Sequence, residues 1–365
     1  LKGDILANDI AINTTYVSSE VNDINSLQPY LKIGSEIIGI GAQTTDGVTI
    51  GFSGCTRGMF GTTAQNHSSD TLIQPCHYFY PSTVLPAATR GLYYYLQTLF
   101  NVAGIDDSFL DLANWQSEIS SRLPLFNNVK RLVTKAGTTV NKLLGELQRD
   151  CGFFMWFDET DKKIKLKAVR PEGAEFTLFE HKHLIAGKTS HSVESEDRIT
   201  DVWVSHTVRN QVEDLSDLDN YKDNFVLVGD GSNPYKYGQR SLYEFRSPWI
   251  QNQDQARQTT ERVLRRYDDS IKFINFSLDY SFNVRMGQVF KLKYSSFTDA
   301  SGAPLDLFWQ VIGLDRVDNE IKIKAQEFYF GFGFVVYGDS SIPNYDQASE
   351  EQQNKYGFYN ISKWG

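Results

Sequence analysis

An amphipathic helix that leads directly into two short strands limits the fold of this chain more than any other feature of its sequence. Thr138 or Thr139 is a suitable N-cap for the helix, and Gly152 is a residue type that readily ends one in the left-handed conformation. The apolar residues between these caps recur at the spacing of one helical face: Val140, Leu143, Leu144, Leu147 and Cys151.

The two strands follow at once. Residues 153–157 are apolar and aromatic, residues 158–161 have turn chemistry, and residues 163–169 alternate lysines with apolar side chains. Because successive side chains of a strand point to opposite faces, the lysines are expected to face water while Ile164, Leu166 and Ala168 face a core. The helix and the hairpin are therefore predicted to form one packed α+β unit.

The remaining periodicity predicts more helices and many strands. Helical spacing is expected at residues 87–102, 113–122 and 254–267, and strand patterns at 201–208, 272–280, 288–294, 307–314 and 320–328. The strands at 272–280, 288–294 and 307–314 are predicted to be antiparallel, and the strand at 320–328 follows them. The acidic stretch 210–223 is predicted to be a solvated loop. The many aromatic residues, 24 Phe and 19 Tyr, favour strands over helices.

Residues 1–80 have short strands broken by turn chemistry. A hairpin is predicted between residues 35–41 and 48–52, around a turn at 45–47, and a small β-barrel or sandwich is the expected outcome. The fold class predicted for the whole chain is a strand-rich α+β fold.

A chain of 365 residues exceeds the size at which one hydrophobic core stops growing, so several domains are expected. We predict a small β module at 1–80, two helix-plus-antiparallel-sheet domains at 81–190 and 191–330, and an extended C-terminal arm at 331–365. The arm has aromatic residues that would be costly to expose unless another chain covers them. They are Tyr345, Tyr356, Phe358, Tyr359 and Trp364.

Charge and hydropathy exclude several classes of partner. The formal net charge is −9, and no block of lysine and arginine forms a phosphate-binding stripe, so specific nucleic-acid binding is not expected. An acidic surface would instead repel passing DNA. No stretch approaches the roughly 20 apolar residues of a membrane helix. Because the sequence starts at Leu1 with neither an initiator methionine nor a signal peptide, we expect it to begin inside a longer product.

Three cysteines, Cys55, Cys76 and Cys151, are too few and too scattered for a disulfide framework. They are predicted to be reduced structural thiols. Cys151 falls on the helical core face, and whether Cys55 and Cys76 lie close together is left open by the sequence.

Residues of the types used in catalysis and metal binding do not form a recognisable site. The histidines at 181, 183, 191 and 206 match no zinc-ligand spacing, so no metal site is predicted. Two carboxylate clusters, Glu194/Glu196/Asp197 and Asp158/Glu159/Asp161, suggest glycoside hydrolysis only if their members face one another, and both fall in patterns typical of exposed turns. Common nucleophile, metal and nucleotide motifs are absent. We predict a non-enzymatic protein without catalytic, cofactor-binding or metal-binding residues and without a cofactor.

The strongest local signal lies between Cys55 and His67. Gly58 and Gly61 suggest tight turns with positive φ, and Arg57 and His67 are predicted to anchor the loop through hydrogen bonds. From the residues alone, this segment is predicted to be an ordered loop with tight turns in a small β module.

This segment also carries a resemblance. An IG-x-E-I-I strand at residues 33–38, followed by RG-x-x-GT-x-A-x-x-H at residues 57–67, resembles a pattern of tail-tip hub proteins of long-tailed bacteriophages and gene transfer agents. The helix and hairpin at 143–166 resemble the equivalent part of such hubs. Residues 198–202, 256–267 and 286–289 resemble their later domain. The resemblance spans roughly residues 1–330, and the segment after 330 matches no family pattern.

The resemblance implies a structural virion protein. It would form a homotrimeric hub at the tail tip, join the tail tube to the tip or fibre, and surround the channel for DNA and the tape measure protein. The implied partners are the distal tail protein, the tape measure protein and a central fibre or receptor-binding protein. The implied location is the virion tail tip, after assembly in the host cytoplasm. Two related domains per subunit would form the ring, with residues 1–80 as an insertion or appendage.

Two alternatives remain open. The abundance of tryptophan and tyrosine also fits a carbohydrate- or receptor-binding module, since aromatic rings stack on sugars. A tail-associated wall-degrading enzyme is the second alternative. Trimer formation would favour the hub, glycan binding the first alternative, and peptidoglycan cleavage the second.

Overall fold

A computed structural model gives the fold of the chain. The structure describes residues 5–6, 9, 11–15, 30–45, 49–79, 91–134, 138–170, 173–194, 198–229, 240–267, 270–298, 301–317, 319–328, 333–334 and 356–357. The chain divides into two compact units. The first contains Leu1–Ala168, Trp203–Val226 and Glu244–Thr260, and the second contains Val169–Val202, Leu227–Tyr243 and Glu261–Gly365.

Strands predominate among the described residues. They are β1 (Ala11–Thr15), β2 (Tyr30–Ile33), β3 (Glu36–Gly39), β4 (Ala42–Thr45), β5 (Thr49–Ser53), β6 (Ile73–Phe79), β7 (Arg131–Thr134), β8 (Phe153–Asp158), β9 (Lys163–Ala168), β10 (Phe176–Phe179), β11 (Ser190–Glu194), β12 (Asp201–Val208), β13 (Tyr221–Val228), β14 (Leu242–Arg246), β15 (Ile271–Asp279), β16 (Val289–Thr298), β17 (Pro304–Val317), β18 (Glu320–Glu327), β19 (Gly333–Phe334) and β20 (Tyr356–Gly357).

The helices are fewer and mostly short. They are α1 (Leu92–Val102), α2 (Leu112–Arg122), α3 (Val140–Leu147), α4 (Glu180–His183) and α5 (Gln253–Tyr267). A π-helical turn, Gln148–Gly152, extends α3. The predicted strand-rich α+β fold is confirmed. No helix among the described residues is both long and apolar enough to cross a membrane.

The N-terminal strands form two small sheets, with strand orders β1-β5-β4 and β3-β2-β6-β7. A hairpin does span the predicted turn, since β4 pairs antiparallel with β5, but its first strand was misplaced: residues 36–39 form β3, which pairs with β2. Gly34 is the physical reason. It has φ +58° in a two-residue connection between Ile33 and Glu36, so the chain reverses there, before the predicted strand begins.

The helix and hairpin predicted after Thr139 are confirmed. Thr139 caps α3 by accepting a hydrogen bond from the Lys142 backbone N–H, and Gly152 ends the π-helical turn with φ +76°. Strands β8 and β9 pair directly, as expected from the alternation. Helices α1 to α3 pack with this hairpin around a core that includes fully buried Trp115 and Cys151.

The second unit is built on a six-stranded sheet of order β10-β16-β17-β18-β15-β11. Its four central strands are those predicted between residues 272 and 328, and all of them pair antiparallel, as predicted for the first three. The two edge strands were not predicted: β10 adds in parallel to β16, and β11 adds antiparallel to β15. Aromatic and aliphatic side chains fill one face, with Trp309, Phe290 and Ile323 at its centre.

The prediction of a loop at 210–223 was partly wrong. Strand β13 begins at Tyr221 and, with β12 and β14, forms a three-stranded sheet with β12 in the middle. Charged residues at its start hide the strand from pattern analysis, because an edge strand can expose most of its side chains. Helix α1 begins at Leu92; the predicted residues 87–90 lie outside the described residues. Most of the predicted arm at 331–365 also lies outside them, except β19 and β20, which pair with each other.

Candidate assembly site

The motif at residues 33–67 converges on one buried carboxylate. Glu36 lies on β3 and is fully buried. Arg57 holds it with two hydrogen bonds, from Nε to Oε1 and from Nη2 to Oε2, both 2.7 Å long. His67 Nε2 lies 2.8 Å from Oε2, and the backbone N–H groups of Gly58 and Gln65 donate to the two oxygens over 3.0 and 3.2 Å. The predicted anchoring roles of Arg57 and His67 are therefore confirmed.

These donors keep the carboxylate ionised. Burial alone raises the pKa of Glu36, but hydrogen bonds from Arg57, His67 and the two backbone groups outweigh it and lower the pKa to about 2. Because the donors surround the group and no solvent reaches it, the carboxylate is arranged to hold the loop in place, not to accept a proton from a substrate.

The same contacts tie the loop to neighbouring chain segments. Arg57 Nη1 donates to the Leu6 carbonyl over 2.5 Å, and Nη2 donates to the Gln65 carbonyl over 2.7 Å. The hydroxyl of buried Thr62 accepts a hydrogen bond from the Ile37 backbone N–H over 3.1 Å. Residues 55–67 are thus fixed at several points on β3 and on the chain near Leu6.

The loop has an unusual backbone at its tip. Gly58 and Gly61 have the predicted positive φ, at +64° and +82°, and Phe60 between them has φ +56°. A bulky residue in this region stores about 1 to 3 kcal/mol of strain unless its surroundings hold it there. Here the Phe60 ring packs against Tyr30 and Tyr78, at centroid distances of 5.0 and 4.5 Å.

The result is a half-buried aromatic patch on the first unit. It covers buried Ile37, Cys76 and Leu132, and it comprises Tyr30, Met59, Phe60, Tyr78 and Val212. Gly61 lets the loop approach the segment that contributes Val212: a Cβ built on Gly61 would lie 2.2 Å from the carbonyl oxygen of Arg209. We refer to this surface as the Phe60 patch.

A second feature that favours assembly is the edge strand β11 of the second unit. All five residues of Ser190–Glu194 are exposed, and among the described residues only β15 pairs with it. The strand has no lysine or proline, the residues that commonly protect sheet edges from pairing with another chain. Val193 is 53% exposed. His191 packs edge-on against Tyr294 and Phe297, at 5.7 and 5.1 Å, so the sheet curls until β11 approaches β16.

The structure does not bring the predicted histidines into a metal site. His181 and His183 lie on the short helix α4, where His183 Nδ1 accepts a hydrogen bond from the Phe179 backbone N–H. His206 is buried in β12, with its Nδ1 2.8 Å from the Thr207 hydroxyl, and burial lowers its pKa. Across the described part of the chain, no three histidine, cysteine or acidic residues are grouped as metal ligands would be.

The predicted carboxylate clusters are also accounted for by local structure. Asp158 lies 3.2 Å from Lys165 and accepts a hydrogen bond from the Thr160 backbone N–H, so it stabilises the β8–β9 turn. Glu194 is exposed on β11. Residues 195–197, which include the rest of its cluster, lie outside the described residues.

None of the cysteines forms a disulfide, and all three are buried. Cys55 and Cys76 lie in different apolar clusters. Burial raises the pKa of Cys76 to about 12, and burial also raises that of Cys55. Their thiols therefore stay protonated at neutral pH.

A second buried polar cluster, which no local sequence pattern predicts, lies in the first unit. Asp150, in the π-helical turn after α3, is fully buried. Its carboxylate accepts hydrogen bonds from Arg149 and from the Ser247 hydroxyl, and its carbonyl accepts one from Thr259 over 2.6 Å. Ser247 and Thr259 come about 100 residues later in the chain, so no local pattern signals this contact.

A neighbouring ion pair extends the cluster. Buried Arg131 pairs with Glu146, and the Trp249 indole N–H donates to Glu146 over 3.2 Å. The guanidinium also lies 5.3 Å from the Trp249 ring centroid. Burial lowers the pKa of Arg131 to about 10. Both buried clusters therefore connect distant segments of the chain, which is a structural role.

No protein-family model and no curated protein matches the chain. Solved structures with a similar fold include a chain of the virion of a native gene transfer agent particle. It is 14% identical, with a TM-score of 0.49, and the match covers 77% of this chain and 64% of that one. A prophage tail protein from Listeria monocytogenes is 10% identical, with a TM-score of 0.38 and coverage of 89% and 86%. A tail protein from Neisseria meningitidis is 11% identical, with a TM-score of 0.41 and coverage of 88% and 93%.

The chain thus spans about two thirds of the length of the gene transfer agent chain, at 64%. The likeness is one of fold alone.

Proposed function

We propose that this chain is a non-enzymatic structural protein of a phage-type tail, and that it forms a trimeric hub at the tail tip. The observation that carries the proposal is the convergence of Arg57 and His67 on Glu36, because these residues belong to the motif that resembles tail-tip hubs. Their side chains are occupied in holding a loop together. The motif therefore specifies an architecture and offers no reactive group to a substrate.

The exposed surfaces fit a protein that is completed by its neighbours. Strand β11 offers a row of backbone groups along its outer edge, with exposed Val193 beside it. Large apolar side chains are also exposed on the first unit, and closed assemblies bury such groups. The most exposed of them are Leu6, Leu72, Val102, Phe109 and Phe157.

In this proposal the trimer joins the tail tube to the tip and surrounds the channel used by DNA and the tape measure protein. Its partners are the distal tail protein on one side and a central fibre or receptor-binding protein on the other. The predicted domains at 1–80, 81–190 and 191–330 belong to this proposal, with the two later ones forming the ring. The protein would be assembled in the host cytoplasm and located in the virion.

The decisive experiment is a particle reconstruction combined with a mass measurement. Three copies around the threefold axis of the tail tip, and a solution mass three times the 41.5 kDa of one chain in the presence of tail tubes, are the expected results. A single copy away from the axis would refute the hub. Specific binding on a glycan array without tail association would favour the receptor-binding alternative. Peptidoglycan cleavage abolished by one carboxylate substitution would favour the enzyme.

The edge strand gives a sharper test of assembly. Val193→Lys places a charge at the exposed edge of β11 and is expected to weaken association between copies, because lysine on an edge strand opposes pairing. Tyr280→Lys is the control, since Tyr280 is 55% exposed in the turn after β15 of the same unit and belongs to no sheet edge. Equal association of the two variants would count against β11 as a contact.

A further inference from the structure

The polar face of the six-stranded sheet contains an open groove of about 530 Å³. Its side chains come from β15, β17 and β18 and from the segment before β11. The polar lining residues are Lys188, Asn275, Ser277, Asp315, Lys322 and Lys324, and Phe276, Leu314 and Ile323 also line the groove. Asp315 lies opposite Lys322 on the neighbouring strand, so the three lysines exceed the carboxylate of the lining by two charges. We refer to this surface as the lysine groove.

Strand geometry explains why the lysines gather there. Lys322 and Lys324 are two residues apart on β18, so they point to the same face about 7 Å from each other. Both are exposed, while Ile321 and Ile323 point into the core. Lys188 lies at one end of the groove, where it pairs with Glu320.

The floor of the groove is kept open by a glycine. Gly313 follows a register shift in β17 and lies opposite Lys324 on β18. A Cβ built on Gly313 would lie 3.1 Å from the Cβ of Lys324, so a larger residue would crowd the floor. The bulge and the glycine together leave room for side chains from another molecule.

Residues 213–223 of the first unit, a loop that leads into the start of β13, have the opposite charge, and we refer to them as the acidic loop. This segment exposes five carboxylates against a single lysine, Lys222. The carboxylates are Glu213, Asp214, Asp217, Asp219 and Asp223.

The acidic loop is held in one conformation by buried groups. Asn220 is buried, accepts a hydrogen bond from the Asn210 backbone N–H and donates to the Asn210 carbonyl, both over 2.9 Å. The Tyr221 hydroxyl donates to the Leu215 carbonyl over 2.8 Å. A preorganised charged loop loses little conformational entropy when it binds, which favours a role in recognition.

We infer that the acidic loop of one copy docks in the lysine groove of a second copy. This inference rests on the proposed assembly and identifies one of its contacts. The contact joins two different surfaces, so it is heterologous and can close into a ring. Charge complementarity favours a protein occupant over nucleic acid, because a chain with net charge −9 repels a polyanion as a whole while its own acidic loop matches the groove locally.

Charge reversal on each side tests the contact with the full chain. Lys322→Glu with Lys324→Glu reverses the groove. Asp219→Lys with Asp223→Lys leaves three carboxylates and three lysines between residues 213 and 223, so it cancels the net charge of the loop. It spares Asp214 and Asp217, whose carboxylates accept backbone hydrogen bonds within the loop. Sedimentation velocity at low and high salt measures association between copies. Each double variant is expected to weaken association at least about tenfold, because the attraction between loop and groove is then cancelled on one side or turned into repulsion on the other.

Combining the reversals separates a direct contact from general charge effects. A chain with all four substitutions should recover association, because the lysines introduced in the loop then meet the glutamates introduced in the groove. Lys130→Glu with Lys182→Glu makes the same change in net charge at two other exposed lysines and should have little effect.

Three outcomes would overturn the inference. They are unchanged association when the groove is reversed, no recovery in the fourfold variant, and a wild-type chain that does not self-associate at any concentration. Duplex DNA binding that is lost with Lys322→Glu and Lys324→Glu would also overturn it, in favour of a nucleic-acid surface. None of these results changes the location of the chain in a particle reconstruction, which is the test of the hub proposal. The two proposals can therefore fail independently of each other.

Discussion

Replacing Glu36 with glutamine should be among the most damaging conservative substitutions in this chain. The shift in the pKa of Glu36 from 4.5 to about 2 corresponds to about 3 kcal/mol of stabilisation of the ionised form in the folded state. Glutamine has one acceptor oxygen where the carboxylate has two, so several of the five donors lose their partner. Because the Arg57 guanidinium is largely buried, we expect the free energy of unfolding to fall by about 3 to 5 kcal/mol at pH 7.

The pH dependence separates a charge effect from a packing effect. A carboxyl whose pKa is depressed on folding contributes its stability above the unfolded value of about 4.5, and this contribution is lost as pH falls towards 2. Urea unfolding followed by circular dichroism, with hydrogen exchange of residues 55–67, should therefore show wild type and Glu36→Gln converging by about 1.4 kcal/mol per pH unit across that window. Glu159→Gln, at an exposed turn, is the control and should match wild type. A difference that stays constant down to pH 2.5 would refute the argument that the ionised carboxylate holds the loop.

Two further substitutions test local geometry. Gly61→Ala combines a φ of +82° with a Cβ 2.2 Å from the Arg209 carbonyl oxygen, so the free energy of unfolding in urea should fall by more than about 2 kcal/mol. Gly104→Ala is the control: Gly104 has φ +80° but open space around it, so the free energy of unfolding should fall by only about 1 kcal/mol. Equal costs would show that the loop moves away from Arg209 without penalty. Thr139→Ala removes the N-cap bond to Lys142 and should cost about 1 kcal/mol, whereas Thr139→Ser should be nearly neutral; the same loss for both would rule out the cap.

The parts of the fold that sequence predicts well are those with local signals. Helix α3 has a capping threonine, a regular apolar face and a terminal glycine, so each local preference agrees with the structure. Strands β15 to β18 alternate clearly. Strand β11 has the sequence SHSVE, which shows no apolar alternation, and it forms only because Ser190 and its neighbours pair with residues near Asn275. Such a strand is determined by a partner more than 80 residues away.

The candidate site was predicted in part for the same reason. The glycines and the anchoring role of Arg57 and His67 follow from residue type, because a loop rich in glycine needs side chains to fix it. Glu36, whose carboxylate contacts both Arg57 and His67, was not identified as their partner, since it lies 21 and 31 residues away from them in the sequence. A signal was present: Glu36 interrupts a run of isoleucines on a short strand, and a buried carboxylate there requires a cationic partner.

Buried and exposed charges have different roles in this chain. In the first unit, the charged groups of Glu36, Arg131 and Asp150 are buried and form ion pairs or hydrogen bonds, so they fix which segments meet. In the second unit, Lys322 and Lys324 lie exposed on a regular sheet, so they disturb neither the packing of the core nor the hydrogen bonds between strands. Buried charges specify a unique fold, and exposed charges of one sign select a partner of the other sign.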